Sequence, residues 1–60
     1  MTLTAATITD EQIRELLSCG DSRAEKAARC ALGLSRGGAT AERVARARCA
    51  EILNARAETK

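Results

Sequence analysis

Apolar positions recur along this chain with a helical period in three blocks, and each block is bounded by residues that start and stop helices. Ile13, Leu16 and Leu17 stand at i, i+3, i+4, the spacing of one helix face. Thr9 precedes them with Gln12 three residues on, a capping box, and Ile8 and Ile13 stand where a hydrophobic staple needs them. Asp10 and Glu11 meet the positive end of the helix dipole, and Gly20 is the stop. The pattern predicts a helix over 9–19.

Ser22 and Glu25 repeat the capping-box spacing. Ala24, Ala27, Ala28, Ala31 and Leu32 form one stripe, with Glu25, Lys26 and Arg29 opposite and Glu25–Arg29 in the favourable i, i+4 order. An alanine stripe predicts a helix over 22–33 lying flat against a neighbour. Gly33 followed by Leu34 predicts a Schellman ending with an apolar contact after the glycine.

Ser35-Arg36-Gly37-Gly38 reads as a loop, and Thr40 as the cap of a third helix over 40–57, with Glu58-Thr59-Lys60 fraying. At about 100° per residue, Ala41, Val44, Ala45, Cys49, Ile52 and Ala55 share one side, with Leu53 at its edge. Arg43, Ala47, Ala50 and Asn54 face away, and Glu42–Arg46 is a further i, i+4 pair. Residues 1–7 read as a flexible N-terminal arm, loose or lightly docked, and 8–60 as a single domain. The expected fold is all-α, a compact three-helix bundle.

Composition makes that bundle thin. The chain of 60 residues has no Phe, Tyr or Trp and leans on alanine for its apolar content, so little area leaves water at roughly 25 cal/mol per Å². A stabilising partner, either a target or a second copy, follows as an expectation. The net charge of +2 is modest, but Asp10, Glu11 and Glu15 against Arg14 make residues 1–20 acidic, while the remainder is basic. Such polarity orients an encounter.

The candidate chemistry is sparse. With no histidine or tyrosine, acid–base catalysis falls to carboxylates, lysines and cysteines, and Glu11 and Glu15, one turn apart, read as solvated charge. Neither catalytic, metal nor cofactor residues are assigned. Cys19, Cys30 and Cys49 form no C-x-x-C pair, so reduced thiols in a cytoplasm are expected. Cys19 falls at the negative end of the first helix, which disfavours its thiolate; Cys49 packs as a small apolar residue, and Cys30, off the alanine stripe, is the accessible thiol. Residues 1–7 have no basic start or apolar run, so no signal peptide is expected, and no stretch approaches the ~20 apolar residues of a membrane span.

Ala31-Leu32-Gly33-Leu34-Ser35-Arg36 resembles the turn of helix-turn-helix DNA readers. The match ends there: Arg29 stands where that pattern has a small residue, and Gly37-Gly38 interrupt the expected recognition helix. Arg36, Arg43 and Arg46, with Lys26 and Arg29, remain candidates for phosphate contacts, without aromatic platforms for stacking. Arg48 lies inside the apolar face drawn above, between Val44 and Ile52. A charge there must pair, with Glu15, Asp21 or the carbonyls of another helix end, or else anchor an interface.

Ile8-Thr9-Asp10-Glu11-Gln12-Ile13-Arg14 and Ala47-Arg48-Cys49-Ala50-Glu51-Ile52-Leu53 resemble the I-T-x-x-Q-I-R start and A-R-x-x-C-A final helix of short accessory proteins from phages and bacterial mobile elements. The likeness implies small, cytoplasmic, non-enzymatic proteins that bind host machinery. The chain is similar in type to small anti-CRISPR proteins. The expected function is stoichiometric binding to a host or bacterial protein through Arg36, Arg43, Arg46, Arg48, Glu11 and Glu15. Phosphate-backbone binding and self-association as a homodimer are the alternatives, and no membrane partner is expected.

Overall fold

The computed structural model describes residues 2–34 and 36–58, the side chain of Glu58 excepted. The chain forms α1 (Asp10–Leu17), α2 (Ser22–Ala31) and α3 (Gly38–Glu58), without a strand among the described residues. The all-α three-helix bundle is therefore the fold. Expectations for Met1, Ser35, Thr59 and Lys60 lie outside the described residues.

α1 starts as its capping box requires. Thr9 Oγ1 accepts the Gln12 N–H at 3.2 Å, and Gln12 Oε1 accepts the Thr9 N–H at 2.9 Å. Ile8 and Ile13 are both buried and complete the staple. The helix ends at Leu17, two residues short of expectation, as the Ser18 N–H tightens onto the Glu15 carbonyl.

The cap of α2 is Asp21, not Ser22. Asp21 Oδ1 accepts the Arg23 N–H at 3.0 Å, and its extended backbone (φ −96°, ψ 115°) suits a cap. Ser22 becomes the first helical residue, which puts Glu25 out of capping-box register; its carboxylate instead accepts from Arg29 Nη2 at 2.7 Å. The ending is the predicted Schellman motif: the Leu34 N–H reaches the Arg29 carbonyl at 2.9 Å and the Gly33 N–H the Cys30 carbonyl at 3.1 Å. Gly33 takes φ +77° to permit it. The apolar contact does not form, because Leu34 is 67% exposed.

α3 departs most from expectation. The chain enters it through Gly38 at φ +72°, so the helix begins two residues before Thr40, which lies inside the first turn and is not its cap. Its other end reaches Glu58. The buried residues are Ala45, Cys49 and Ala50, while Val44 is 54% exposed. Ala47 and Asn54, expected to face away, are half-buried. The buried face is thus rotated from the expected one by roughly a quarter turn, about one residue at 100°. Side-chain size explains the rotation. α2 presents Ala24, Ala28 and Ala31 to the core, a surface for close approach, and small Ala45, Cys49 and Ala50 meet that need better than β-branched Val44.

Ile8, Ile13, Leu16, Ala24, Ala28, Ala31, Ala45, Cys49 and Ala50 make the core, with Ile13, Leu16 and Cys49 its largest fully buried side chains. Half-buried Leu3, Leu17, Leu32, Ile52 and Leu53 pack around it. The radius of gyration is 10.5 Å, against about 10.4 Å for a folded chain of this length.

Of the two forms expected for the N-terminal arm, loose or lightly docked, the structure has the docked one at Leu3. Asn54 on α3 grips Leu3 from both sides: its Oδ1 accepts the Leu3 N–H at 2.9 Å and its Nδ2 donates to the Leu3 carbonyl at 2.9 Å. A turn from Thr4 to Ile8 follows, in which the Ile8 N–H donates to the Thr4 carbonyl at 2.9 Å.

Candidate functional site

α2 and α3 run antiparallel, and Cys30 near the end of α2 meets the first turns of α3 through a thiol donating to the Ala41 carbonyl at 3.6 Å. Along their junction lies an open groove. Its floor is apolar: Ala27 and Cys30 from α2, and Ala41, Val44, Ala45 and Ile52 from α3. The rotation of α3 builds this floor, because it leaves Val44 beside the core.

The groove's rim is mainly cationic. Arg23, Lys26 and Arg29 stand on the α2 side, Arg48 and Glu51 on the α3 side, with Asp21 at one end. Arg29 is already paired with Glu25, and the Asp21 carboxylate is engaged in capping α2. Arg23, Lys26 and Arg48 form no ion pair with a described residue. The structure thus corrects the inward placement of Arg48: it is exposed, has no contact with Glu15 or Asp21 carboxylates, and turns outward with the same rotation that exposes Val44.

The remaining predicted residues lie elsewhere. Arg46 is half-buried and works within the molecule, its Nη1 bonded to Asp10 Oδ1 at 3.2 Å and its Nη2 to the Ile8 carbonyl at 3.2 Å. These contacts take the place of the expected Glu42–Arg46 pair and tie α3 to the start of α1. Arg43 is exposed and shares a shallow depression with Ala5, Ala6, Ala39, Glu42 and Arg46. Arg36 is exposed in the α2–α3 connection. Glu11 and Glu15 are exposed on α1 and line neither hollow. The six predicted residues therefore do not form one surface: Arg43 and Arg46 are neighbours, and Arg48 belongs to the groove.

Sequence reasoning missed Val44 as a surface residue, Arg23 as a rim residue and Asn54 as the arm's anchor. For Asn54 a signal existed, an amide inside a helix, where asparagine is a poor helix former.

All three thiols are free. Burial pushes the Cys49 thiol up. Cys19 moves the other way: the Asp21 backbone N–H, foremost, and the Arg56 side chain lower its pKa. This runs against the expectation from the helix dipole, since a donor in the following turn and a cation from α3 both favour the thiolate. In its protonated form the thiol donates to the Leu16 carbonyl at 3.1 Å. Among the described residues no group of three or more histidines, cysteines and carboxylates is placed to hold a metal ion. No helix among the described residues is long and apolar enough to cross a membrane.

No family model, curated protein or solved structure matches the chain.

Proposed function

We propose that this protein is a non-enzymatic interaction module that acts by stoichiometric binding to a host protein complex, with inhibition of a host defence system as the concrete form. The observation that carries this reading is the α2–α3 groove, an apolar floor that the protein's own helices leave uncovered beside three cations without ion-pair partners among the described residues. Uncovered apolar surface rimmed by charge has the anatomy of a protein contact, with a greasy centre and a polar edge. Arg48 is then an interface anchor, a role in which arginine is enriched. The contact surface moves from the one first expected, since Arg46 serves the fold and Glu11 and Glu15 lie outside the groove.

Backbone binding to nucleic acid draws less support from the same geometry. Two of its five cations, Arg29 and Arg46, have carboxylate partners, and Arg36 and Arg43 lie outside the groove that Lys26 lines.

The test is a tagged capture from nuclease-treated bacterial lysate, washed at low and high salt, with stoichiometry read by native mass spectrometry. The expected result is a protein at near-equal stoichiometry, retained by Arg43→Glu and lost with Val44→Gln/Arg48→Glu. Recovery from untreated lysate that disappears on nuclease treatment, with an oligonucleotide bound in its place, overturns the reading in favour of nucleic acid. Bait alone, with a melting temperature that rises with concentration, overturns it in favour of self-association.

A further inference from the structure

We infer that the occupant of the α2–α3 groove is an acidic amphipathic helix of a partner protein, seated as the fourth helix of the bundle. This rests on the interaction reading above and adds to it the chemistry of the partner.

Length and shape specify a helix. The α3 side of the groove runs from Ala41 to Ile52, about 16 Å at 1.5 Å per residue, or three turns of an occupant. The groove between two antiparallel helices receives a third by ridge-into-groove packing. The described residues include no strand whose edge an extended peptide would extend. The floor of Ala27, Ala41, Val44 and Ile52 takes an apolar stripe of i, i+3/i+4, i+7 spacing.

Charge specifies the sign. Arg23 and Lys26 stand on one rim and Arg48, beside the Glu51 carboxylate, on the other; the three cations have no ion-pair partners among the described residues and leave the rim positive on balance. Carboxylates flanking the apolar stripe of the occupant would meet them on both sides. A second copy of this chain fits badly. Groove against groove sets like charges together, and the exposed face of α1, with Glu11, Arg14 and Glu15, offers the floor nothing apolar. A phosphate backbone would leave the apolar floor of Val44 and Ile52 unsatisfied.

The probe that tests this is a fluorescein-labelled helical peptide of about four turns, roughly 14 residues, with leucines along one stripe and glutamates on both flanks. Its controls are the same peptide with lysine for glutamate and a scramble of the acidic sequence. Fluorescence anisotropy with the full chain should show the acidic peptide binding about tenfold or more tighter than either control, with affinity falling as salt rises. Val44→Gln should weaken it by about tenfold through the floor, and Arg23→Glu/Arg48→Glu should invert the preference toward the lysine peptide. Circular dichroism of each variant separates lost binding from lost fold, and all three positions are exposed. No binding of the acidic peptide, equal binding of the acidic and lysine peptides, or indifference to both variants overturns the inference. Tighter binding of an oligonucleotide that displaces the peptide overturns it too. If the peptide fails while Val44→Gln/Arg48→Glu still abolishes capture of the cellular protein, the groove remains the docking face and only the occupant's chemistry is wrong.

Discussion

The two flanks of α3 carry similar mixtures of alanine, arginine and larger apolar residues, yet they end differently. On the flank of Arg46, Ala50 and Asn54, the chain closes over itself: Arg46 holds the Ile8 carbonyl and Asp10, and Asn54 holds both backbone groups of Leu3. On the flank of Ala41, Val44 and Arg48, α2 covers only the inner edge, and a groove remains whose Arg23, Lys26 and Arg48 have no ion-pair partner among the described residues. What separates the flanks is the availability of chain. The arm supplies peptide groups that polar side chains can grip on one side, and no segment among the described residues does so on the other. In a fold with so little apolar bulk, a covered flank supports stability and an uncovered one is free for contact.

The sharpest break of this contrast is a matched pair of enlargements. Ala50 is 2% exposed and Val44 54% exposed. Ala50→Leu forces three more carbons into a filled site and should cost about 1–3 kcal/mol, much of the few kcal/mol a domain of this size has. Val44→Leu should change stability by no more than about 0.5 kcal/mol. Urea unfolding followed by circular dichroism measures both. Equal losses would mean that the groove flank is packed after all.

That contrast also marks where sequence reasoning succeeds. α1 is legible because each of its signals is local and chemically specific: Thr9 and Gln12 exchange hydrogen bonds three residues apart, whatever the rest of the chain does. The Schellman turn at Gly33 is legible for the same reason. α2 is nearly so, because Asp21 and Ser22 are both good caps and only the turn at Gly20 decides between them. α3 is not legible in rotation. Alanines surround it, so the wheel is steered by Val44 and Ile52, while the true contact is chosen by α2, which needs small residues opposite its own alanines. Arg48 follows Val44 outward. The candidate site is legible in one residue of six, Arg48, and the groove that makes sense of it exists only in three dimensions.

The clamps of the closed flank give the next effect in size. Asn54→Leu keeps the bulk and leaves the Leu3 N–H and carbonyl without their partner, so about 1–2 kcal/mol should be lost. Amide exchange at Leu3 should accelerate more than exchange in α1. Arg46→Met should cost about 1 kcal/mol or less, since the Asp10 carboxylate is largely exposed. Loss of affinity for a groove ligand with either variant would show that the two flanks are coupled; unchanged affinity keeps them separate.

The cysteines divide along the same line, with the smallest energies and the clearest readout. Cys49 lies on the buried face of α3, Cys30 on the groove floor, and Cys19 beyond the end of α1. Alkylation followed by mass spectrometry should label Cys19 first and leave Cys49 protected until the chain unfolds, since reactivity follows thiolate and access. The rate at Cys19 should rise at a lower pH than for an ordinary thiol, and Arg56→Gln should return part of that shift by removing the cation beside it. For Cys49 the linkage has the opposite sign. Its folded pKa lies above the unfolded value, so as pH rises through the ordinary thiol range, near about 8.5, the unfolded chain ionises first. Stability is complete below that range and declines as pH climbs from it toward the raised folded pKa. Cys49→Ala should flatten this alkaline decline, even though the smaller side chain lowers stability at neutral pH. An alkaline decline that survives the substitution unchanged would place its origin in another group and remove Cys49 from the account.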